Sequence, residues 1–362
     1  MLIPMAMECS PLLDTIIACS SSHLALSRAE LGVMAVEDRS SALTSFASSF
    51  AKDSLSREFS LAACLILTSM ETIIGDTSAW YEHLTGAASI IRETLEVRKD
   101  GKVASLLQKT LEGRWLLRNF AYHDILASVT LDRQTLIPGR YWMSDEDTVV
   151  DTYFGLATIP MAMLAEISTL SDSLQKSSAS SSTAGSPKEG YNSNDQRERL
   201  DSLSEALRIE TALLQWQPAE AQDRSLVYLA ASYRSAALIH LYRTLRRHRE
   251  HVTSALNDKI AREVKNIIEH VNKMPIRCLP ECTVLFPLFM AGGETSVDFE
   301  AQAIRECMQE MVRYRQFENV RIALEVLEEV WDVRSRTLPI DPTRPYDWLY
   351  ALGRRGWKLA LS

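Results

Sequence analysis

Apolar residues recur at steps of three and four along most of the chain, and the alternation typical of strands is nearly absent. This pattern predicts an all-α fold. Ser10 followed by Pro11 is typical of a helix start. The buried face of that helix is predicted to contain Leu13, Ile16, Ile17 and Leu24. Further helices are predicted over 36–51, 58–74, 103–130, 152–171, 196–216, 221–248, 253–273, 297–314 and 317–334.

Two of these helices carry a more specific expectation. In the helix over 36–51, we expect Leu43, Phe46 and Phe50 to point inward. The helix over 58–74, EFSLAACLILTSMETII, is apolar on most sides and is therefore predicted to be central and buried.

A Ser-rich segment, residues 172–195, interrupts the helical pattern. It contains Gly185, Pro187 and Gly190 and almost no large apolar side chains. Such a segment cannot bury enough apolar surface to offset the entropy of ordering it, so it is predicted to be a disordered loop. We expect it to join two helical halves of one domain, residues 1–171 and residues 196–362.

The charge and hydropathy of the chain restrict its function further. The net charge is −8 and the sequence pI is about 5.5, whereas a nucleic-acid reader normally has a basic footprint. The longest apolar run outside the amino end, LAACLIL at 61–67, is far shorter than a membrane span. At the amino end, no Lys or Arg precedes the apolar part, and Pro4 and Asp14 interrupt it, so a secretory signal is not predicted. We expect a soluble intracellular protein that binds neither membranes nor nucleic acid directly.

The six cysteines are sparse, which is typical of reduced thiols. Cys278 and Cys282 lie close together in the sequence with His270 nearby. A structural zinc site needs four ligands, usually as two closely spaced pairs, and a second pair is missing. We therefore predict no metal site and no cofactor.

Candidate catalytic residues are few, and no nucleophile elbow, metalloprotease pair, phosphate loop or dinucleotide turn occurs. His83 could be a ligand or a base. Because no second His or Cys lies one helical turn away, we interpret it as a partly buried histidine bonded to a carbonyl or carboxylate. His123 and Asp124 are adjacent, so on a helix they point about 100° apart and do not form a dyad. No catalytic residue is predicted, and the protein is not expected to be an enzyme.

Two further stretches each allow two interpretations. The basic run LYRTLRRHREH, 241–251, could bind phosphate or an acidic partner, but we favour a cationic helix end stabilised by the helix dipole. AGGETS, 291–296, has paired glycines but lacks the lysine of a phosphate loop. It is predicted to end one helix and cap the next.

The stretch GDTSAWYEHLTGAASII, 75–91, is predicted to hold a helix against its neighbours rather than to bind a ligand. Gly75 is suited to a helix stop, and Asp76 or Thr77 can cap the following helix. The buried face would contain Trp80, Leu84, Ala87, Ile91 and Leu95, with His83, Gly86 and Ile90 beside it. Gly86 and the adjacent alanines would allow close approach of a neighbouring backbone.

Several blocks together resemble the fungal-specific transcription factor domain of zinc-cluster regulators. The first is IPMAMECSPLLDTIIACSSSHLAL, and the most typical is GDTSAWYEHLTGAASIIRE, in which the matching residues are Trp80, His83, Leu84, Gly86 and Ala87. The other blocks are NFAYHDILAS, TVLFPLFMAGGET, WDVRS and DWLYALGRRGWKLAL. Gly293 stands where a cysteine is common in the family.

The resemblance implies a nuclear regulator of transcription that controls a metabolic or secondary-metabolite gene set. The paired C-x-x-C spacing of the family's six-cysteine zinc cluster is missing, and Met1 lies almost on the first domain helix. We therefore expect an effector domain without its own DNA reader. It would act through protein partners, either a complete zinc-cluster regulator or a second copy as a dimer. No effector ligand is implied.

Two alternatives remain open at this point. The first is a helical small-molecule sensor or enzyme with a pocket between the two halves. The second is a truncated gene product of a full DNA-binding regulator.

Overall fold

The computed structural model describes residues 1–52, 55–97, 103–143, 150–182, 193–248, 253–275, 277–336 and 346–362. Fourteen α-helices lie in these residues: α1 Leu2–Glu8, α2 Ser10–Ser27, α3 Gly32–Ala51, α4 Arg57–Ile73, α5 Ala79–Arg92, α6 Leu111–Thr130, α7 Thr158–Ser182, α8 Ser193–Gln215, α9 Arg224–His248, α10 Thr253–Asn272, α11 Leu285–Gly292, α12 Asp298–Arg315, α13 Glu318–Arg336 and α14 Trp348–Arg355. One antiparallel hairpin pairs β1, Leu95–Val97, with β2, Val103–Ser105. The all-α prediction is confirmed.

Helix α4 is central, as its sequence predicts. Eleven of its 17 residues are buried, because it is packed between α2, α5 and α6. Helix α6 is more enclosed still, with fifteen of its 20 residues buried. Helices that are apolar on most sides can be stable only when neighbours cover all those sides.

The two halves of the chain share one hydrophobic core, which runs from Met5 to Leu361. Helix α7 packs against α6 of the first half and against α9 of the second. The hydroxyl groups of Tyr122 on α6 and Tyr233 on α9 lie 3.3 Å apart within this core. Burying α7 therefore requires residues from both halves.

The buried face of α2 agrees with the prediction in part, since Leu13 and Ile16 are partly buried against the core. The helix includes Ser10 and Pro11 at its start as expected, but Ile17 and Leu24 are 46% and 40% exposed. Its core side contains mainly small residues, among them Ala18, which clusters with Ala42 of α3. Small side chains allow α2 and α3 to pack closely, and the larger residues then lie outside the contact.

Helix α3 shows the same effect. It begins at Gly32, four residues before the predicted start, and its fully buried residues are Ala35 and Ala42. Leu43 and Phe46 are partly buried and pack against the small cluster around Ala18. Phe50 is 55% exposed, so its predicted inward position was wrong.

The predicted long helix over 103–130 was wrong in its first eight residues. Val103–Ser105 form β2, Leu106–Lys109 form a 3₁₀ turn, and α6 begins only at Leu111. Thr110 Oγ1 accepts a hydrogen bond from Gly113 N at 3.0 Å, which caps α6. Leu95, predicted on the face of α5, instead begins β1 after α5 ends at Arg92.

Around the Ser-rich segment, the helices extend further than predicted. Helix α7 starts at Thr158, six residues after the predicted start, because Asp151 and Gly155 pair in a turn before it. It continues through Ser182, and α8 begins at Ser193, so the loop predicted over 172–195 was wrong for 172–182 and 193–195. Residues 183–192 lie outside the described residues, so the disordered loop stays a prediction there. The predicted helices over 196–216, 221–248, 253–273, 297–314 and 317–334 correspond to α8, α9, α10, α12 and α13 within three residues at each end.

Candidate functional site

The turn before α5 is built as the sequence predicts. Gly75 has a φ of +78°, which favours glycine, and a Cβ there would lie 2.8 Å from Glu318 Cβ on α13. Asp76 Oδ1 accepts hydrogen bonds from Ser78 N at 2.8 Å and Ala79 N at 2.6 Å. The carboxylate thereby satisfies amides at the start of α5. The predictions for Gly75 and Asp76 are confirmed.

Trp80 joins α5 to the closing segment of the chain, residues 357–362. Its side chain is 1% exposed, and its indole Nε1 donates to Lys358 O at 2.8 Å. Lys358 N in turn donates to Thr77 O at 2.8 Å. Leu359, Ala360 and Leu361 are buried beyond this point. Helix α5 therefore binds a segment that lies 278 residues later in the sequence.

Leu84 and Ala87 are fully buried on the same side of α5 as Trp80, which agrees with the predicted face. Gly86 faces α4, but a Cβ there would lie 3.8 Å from Cys64 Sγ, an ordinary contact distance. An alanine would fit at this position. Helices α4 and α5 pack together as expected, but this packing does not require glycine at Gly86.

His83 lies beside a buried carboxylate. Its Nε2 is 3.8 Å from Glu71 Oε1, and Arg39 Nη2 donates to the other oxygen, Glu71 Oε2, at 2.6 Å. The His83 side chain is 22% exposed, whereas that of Glu71 is 1% exposed. This is the partly buried histidine next to a carboxylate that the sequence predicts. The arrangement brings side chains of α3, α4 and α5 together around one buried carboxylate.

His123 and Asp124 bond to different partners and do not form a dyad. The ring Nδ1 of His123 lies 2.6 Å from Ser362 Oγ, and burial lowers the pKa of His123 to about 4. Asp124 accepts hydrogen bonds from Leu136 N at 2.8 Å and Ile137 N at 3.1 Å. Burial raises the pKa of Asp124, and these amides and Arg133 offset the effect in part. Both residues anchor other segments to α6.

The basic run forms the end of α9, as predicted, with Arg246, Arg247 and His248 in the last turn. Arg243 is only 2% exposed. It pairs with Glu294 and also with Asp347, which lies at 2.8 Å. Arg246 pairs with Glu294 at 2.8 Å. Arg247 pairs with Asp132 at 2.8 Å. The carboxylates that folding brings to these three side chains were not predicted from the sequence. Residues 249–251 lie outside the described residues.

These contacts define a charge cluster, which consists of Arg243, Arg246, Glu294, Arg334 and Asp347. Arg334 donates to Gly293 O at 2.9 Å and to Tyr346 O at 3.0 Å. Burial lowers the pKa of Arg334. Burial also acts to raise the pKa of Asp347, but the Arg243 guanidinium outweighs it and holds that pKa below its ordinary value. The cluster joins the ends of α9, α11 and α13 to the start of α14.

The stretch AGGETS supplies the centre of this cluster. Helix α11 ends at Gly292, and Thr295 Oγ1 accepts a hydrogen bond from Val297 N at 3.1 Å just before α12. The stretch ends one helix, as predicted. The prediction that it caps the next was wrong, because Val297 stands at the start of α12 and no side chain caps that helix. The role of Glu294 was not found from the sequence. The signal available was an arginine-rich helix end together with acidic residues in turns, at Glu294 and Asp347.

The six cysteines are all free thiols. Cys278 precedes the 3₁₀ turn Leu279–Thr283 and Cys282 lies within it. The backbone carbonyl of Cys278 accepts a hydrogen bond from Arg315 Nη2 at 3.1 Å. Burial raises the pKa of the Cys282 thiol. Among the residues described, no group of three or more His, Cys, Asp or Glu side chains is placed to hold an ion. In that same part of the chain, every helix is too short or too polar to cross a bilayer.

Three cavities of about 480 to 650 Å³ lie among the residues described, each within one half of the chain. The one of about 550 Å³ is on the surface of α3, and the other two lie between elements of the fold. A cavity of about 650 Å³ lies in the first half, between the end of α3, the start of α4 and the segment after β2. A groove of about 480 Å³ lies in the second half, between α12 and the end of α10. None of these cavities lies between the two halves, where the alternative of a small-molecule sensor or enzyme predicts a pocket.

The comparisons with known proteins agree with the blocks quoted from the sequence. The chain matches the family described as the fungal-specific transcription factor domain over residues 1–362. No match was found among curated proteins or among solved structures. The chain therefore belongs to the fungal-specific transcription factor domain family, a family of transcription regulators.

Proposed function

We propose that this protein regulates transcription in the nucleus through contacts with protein partners, without catalysing a reaction. The observation that carries the proposal is the family match over residues 1–362. The partner would be a complete zinc-cluster regulator or a second copy of this chain. The genes controlled would belong to a metabolic or secondary-metabolite set.

The way the polar side chains are used supports this proposal. The side chains that catalysis would use are engaged within the fold. His123 and Asp124 form hydrogen bonds to neighbouring elements, and His83 lies beside the buried carboxylate of Glu71. The arginines that nucleic acid would require are paired with carboxylates, as at Arg243 and Arg247. With a net charge of −8, these 362 residues would repel a polyanion. We infer that they do not read DNA by themselves.

A reporter assay tests the proposal. The full chain is fused to an unrelated DNA-binding domain and directed to a promoter that carries its site, with the DNA-binding domain alone as the control. We expect reporter output to change severalfold in one direction, because an effector domain acts wherever it is tethered. An unchanged output from a fusion that is present in the nucleus and folded would contradict the proposal.

A further inference from the structure

The groove in the second half has the shape of a helix-binding surface. One face of α12 forms its first wall, through Phe299, Gln302, Ala303, Glu306, Cys307 and Glu310. These residues recur at steps of three and four, so the wall is straight and about 16 Å long at the rise of an α-helix. The end of α10 and the turn before α11 form the opposite wall. A groove of this length accommodates about three turns of a second helix.

The groove is apolar at the start of α12 and along its opposite wall. Phe299 is 79% exposed at the start of α12, and the opposite wall contributes Val271, Met274 and Val284. In the described part of the chain, no side chain covers the Phe299 ring. Apolar groups grouped in one surface groove indicate a contact site for a partner more strongly than scattered ones.

The polar lining of the groove carries only negative charge. Three carboxylates line it, Glu281, Glu306 and Glu310, and no Lys or Arg does. Arg315 pairs with Glu281 at 3.4 Å and Arg313 with Glu310 at 3.0 Å, both from outside the lining. Glu306 accepts a hydrogen bond from the Gln302 amide at 2.7 Å and has no cationic partner among the residues described. A cation of the occupant could therefore pair with Glu306.

We propose that this groove binds one amphipathic helix of a partner protein, with apolar residues on one face and lysine or arginine beside them. An apolar helix face fits the apolar part of the groove, as in other helix-in-groove complexes. A flanking cation complements Glu306, which has no cationic partner among the residues described. An acidic helix, a nucleic acid or an anionic membrane would meet repulsion. The inference rests on the proposed action through protein partners, and it names the surface and the chemistry of the partner.

A designed peptide serves as the probe. It has about 14 residues, with leucines along one helical face, lysines elsewhere and a fluorescein label. Two matched peptides replace its lysines by glutamates or its leucines by alanines. Binding to the full chain is measured by fluorescence anisotropy at two salt concentrations. We expect the leucine–lysine peptide to bind at least about tenfold more tightly than either matched peptide, since both apolar and cationic contacts are required.

Variants of the protein show whether the peptide occupies this groove. Phe299→Ala is expected to weaken binding about tenfold, because it removes the apolar anchor. Glu306→Gln is expected to weaken it about threefold and to reduce its salt dependence. Leu111→Ala and Glu30→Gln change another exposed apolar residue and another exposed carboxylate, and they should leave binding unchanged.

Equal binding of the alanine–lysine peptide, or unchanged binding to both Phe299→Ala and Glu306→Gln, would overturn the groove proposal. The reporter assay separates this failure from failure of the proposed function. If the tethered chain still changes reporter output while the peptide does not bind, the transcriptional role stands and the groove proposal falls. Circular dichroism of each variant shows that it is folded, which is expected because Phe299 and Glu306 are exposed.

Discussion

Glu294→Gln is expected to destabilise the protein strongly, because Glu294 lies between two arginines in the charge cluster. The side chains of Glu294 and Arg243 are each 2% exposed, and that of Arg246 is 12% exposed. The substitution keeps the shape of the side chain and removes one of the cluster's two negative charges. Three guanidinium groups would then have only Asp347 as a counterion.

The magnitude follows from the cost of an uncompensated buried charge. Removing one partner of a buried ion pair costs about 3–5 kcal/mol, whereas removing one from an exposed pair costs about 0–1 kcal/mol. The total free energy of unfolding of a typical domain is about 5–15 kcal/mol. The variant is therefore expected to lose a large part of its stability, although no residue of the surface changes.

The assay is equilibrium unfolding in urea, followed by circular dichroism at neutral pH. The matched control is Glu328→Gln, which removes the partner of Arg305 in a pair whose side chains are 47% and 29% exposed. We expect a clear drop in the urea midpoint for Glu294→Gln and almost none for Glu328→Gln. A loss below about 1 kcal/mol for Glu294→Gln would show that the cluster is hydrated and does not hold the helix ends together.

Three further predictions concern other parts of the fold. Burial lowers the pKa of His123 from 6.5 to about 4, so between these pH values His123 is protonated in the unfolded chain but neutral in the folded one. Protonation therefore favours unfolding, and the contribution of His123 to the free energy of unfolding should fall by roughly 3 kcal/mol as the pH drops from 6.5 to 4. Urea midpoints across this range should show a shallower pH dependence in His123→Gln, and an identical one would contradict the assignment. In Gly293→Ala the new Cβ would lie 2.5 Å from Trp348 Cδ1, so we expect a loss of about 1–3 kcal/mol in thermal unfolding, smaller when Trp348→Leu is already present. Trp80→Phe leaves Lys358 O without its donor and should cost about 1–3 kcal/mol, with faster hydrogen exchange in the closing segment; unchanged exchange there would argue against this bond.

Periodicity predicted the long helices of the second half well, because each has an apolar face of ordinary width. Helix α10, for example, buries Leu256, Ile260, Val264 and Ile267 along one face, and its bounds differ from the prediction by one residue. Helices α2 and α3 show where this signal fails. Their shared contact is made through alanine and serine, so the largest apolar residues do not indicate the buried side.

The hairpin and the charge cluster were missed for different reasons. Strands of three residues are too short to show alternation, so β2 was read as part of α6. The cluster depends on pairs far apart in the sequence, since Arg243 meets Glu294 51 residues away and Asp347 104 residues away. A local pattern in one chain does not specify such a pairing. The family blocks, in contrast, were recognisable because each is a continuous stretch.

The closing segment has a consequence for how the protein is made. Residues 357–362 contact both Trp80 and His123. The ribosome adds Lys358, which bonds to Trp80, 278 residues after Trp80 itself. At a synthesis rate of about 5–20 residues per second, Trp80 remains without this contact for roughly 15–55 s. During that interval the indole and the adjoining apolar side chains of α5 are open to chaperones. Fast elongation should therefore favour a high yield of folded protein.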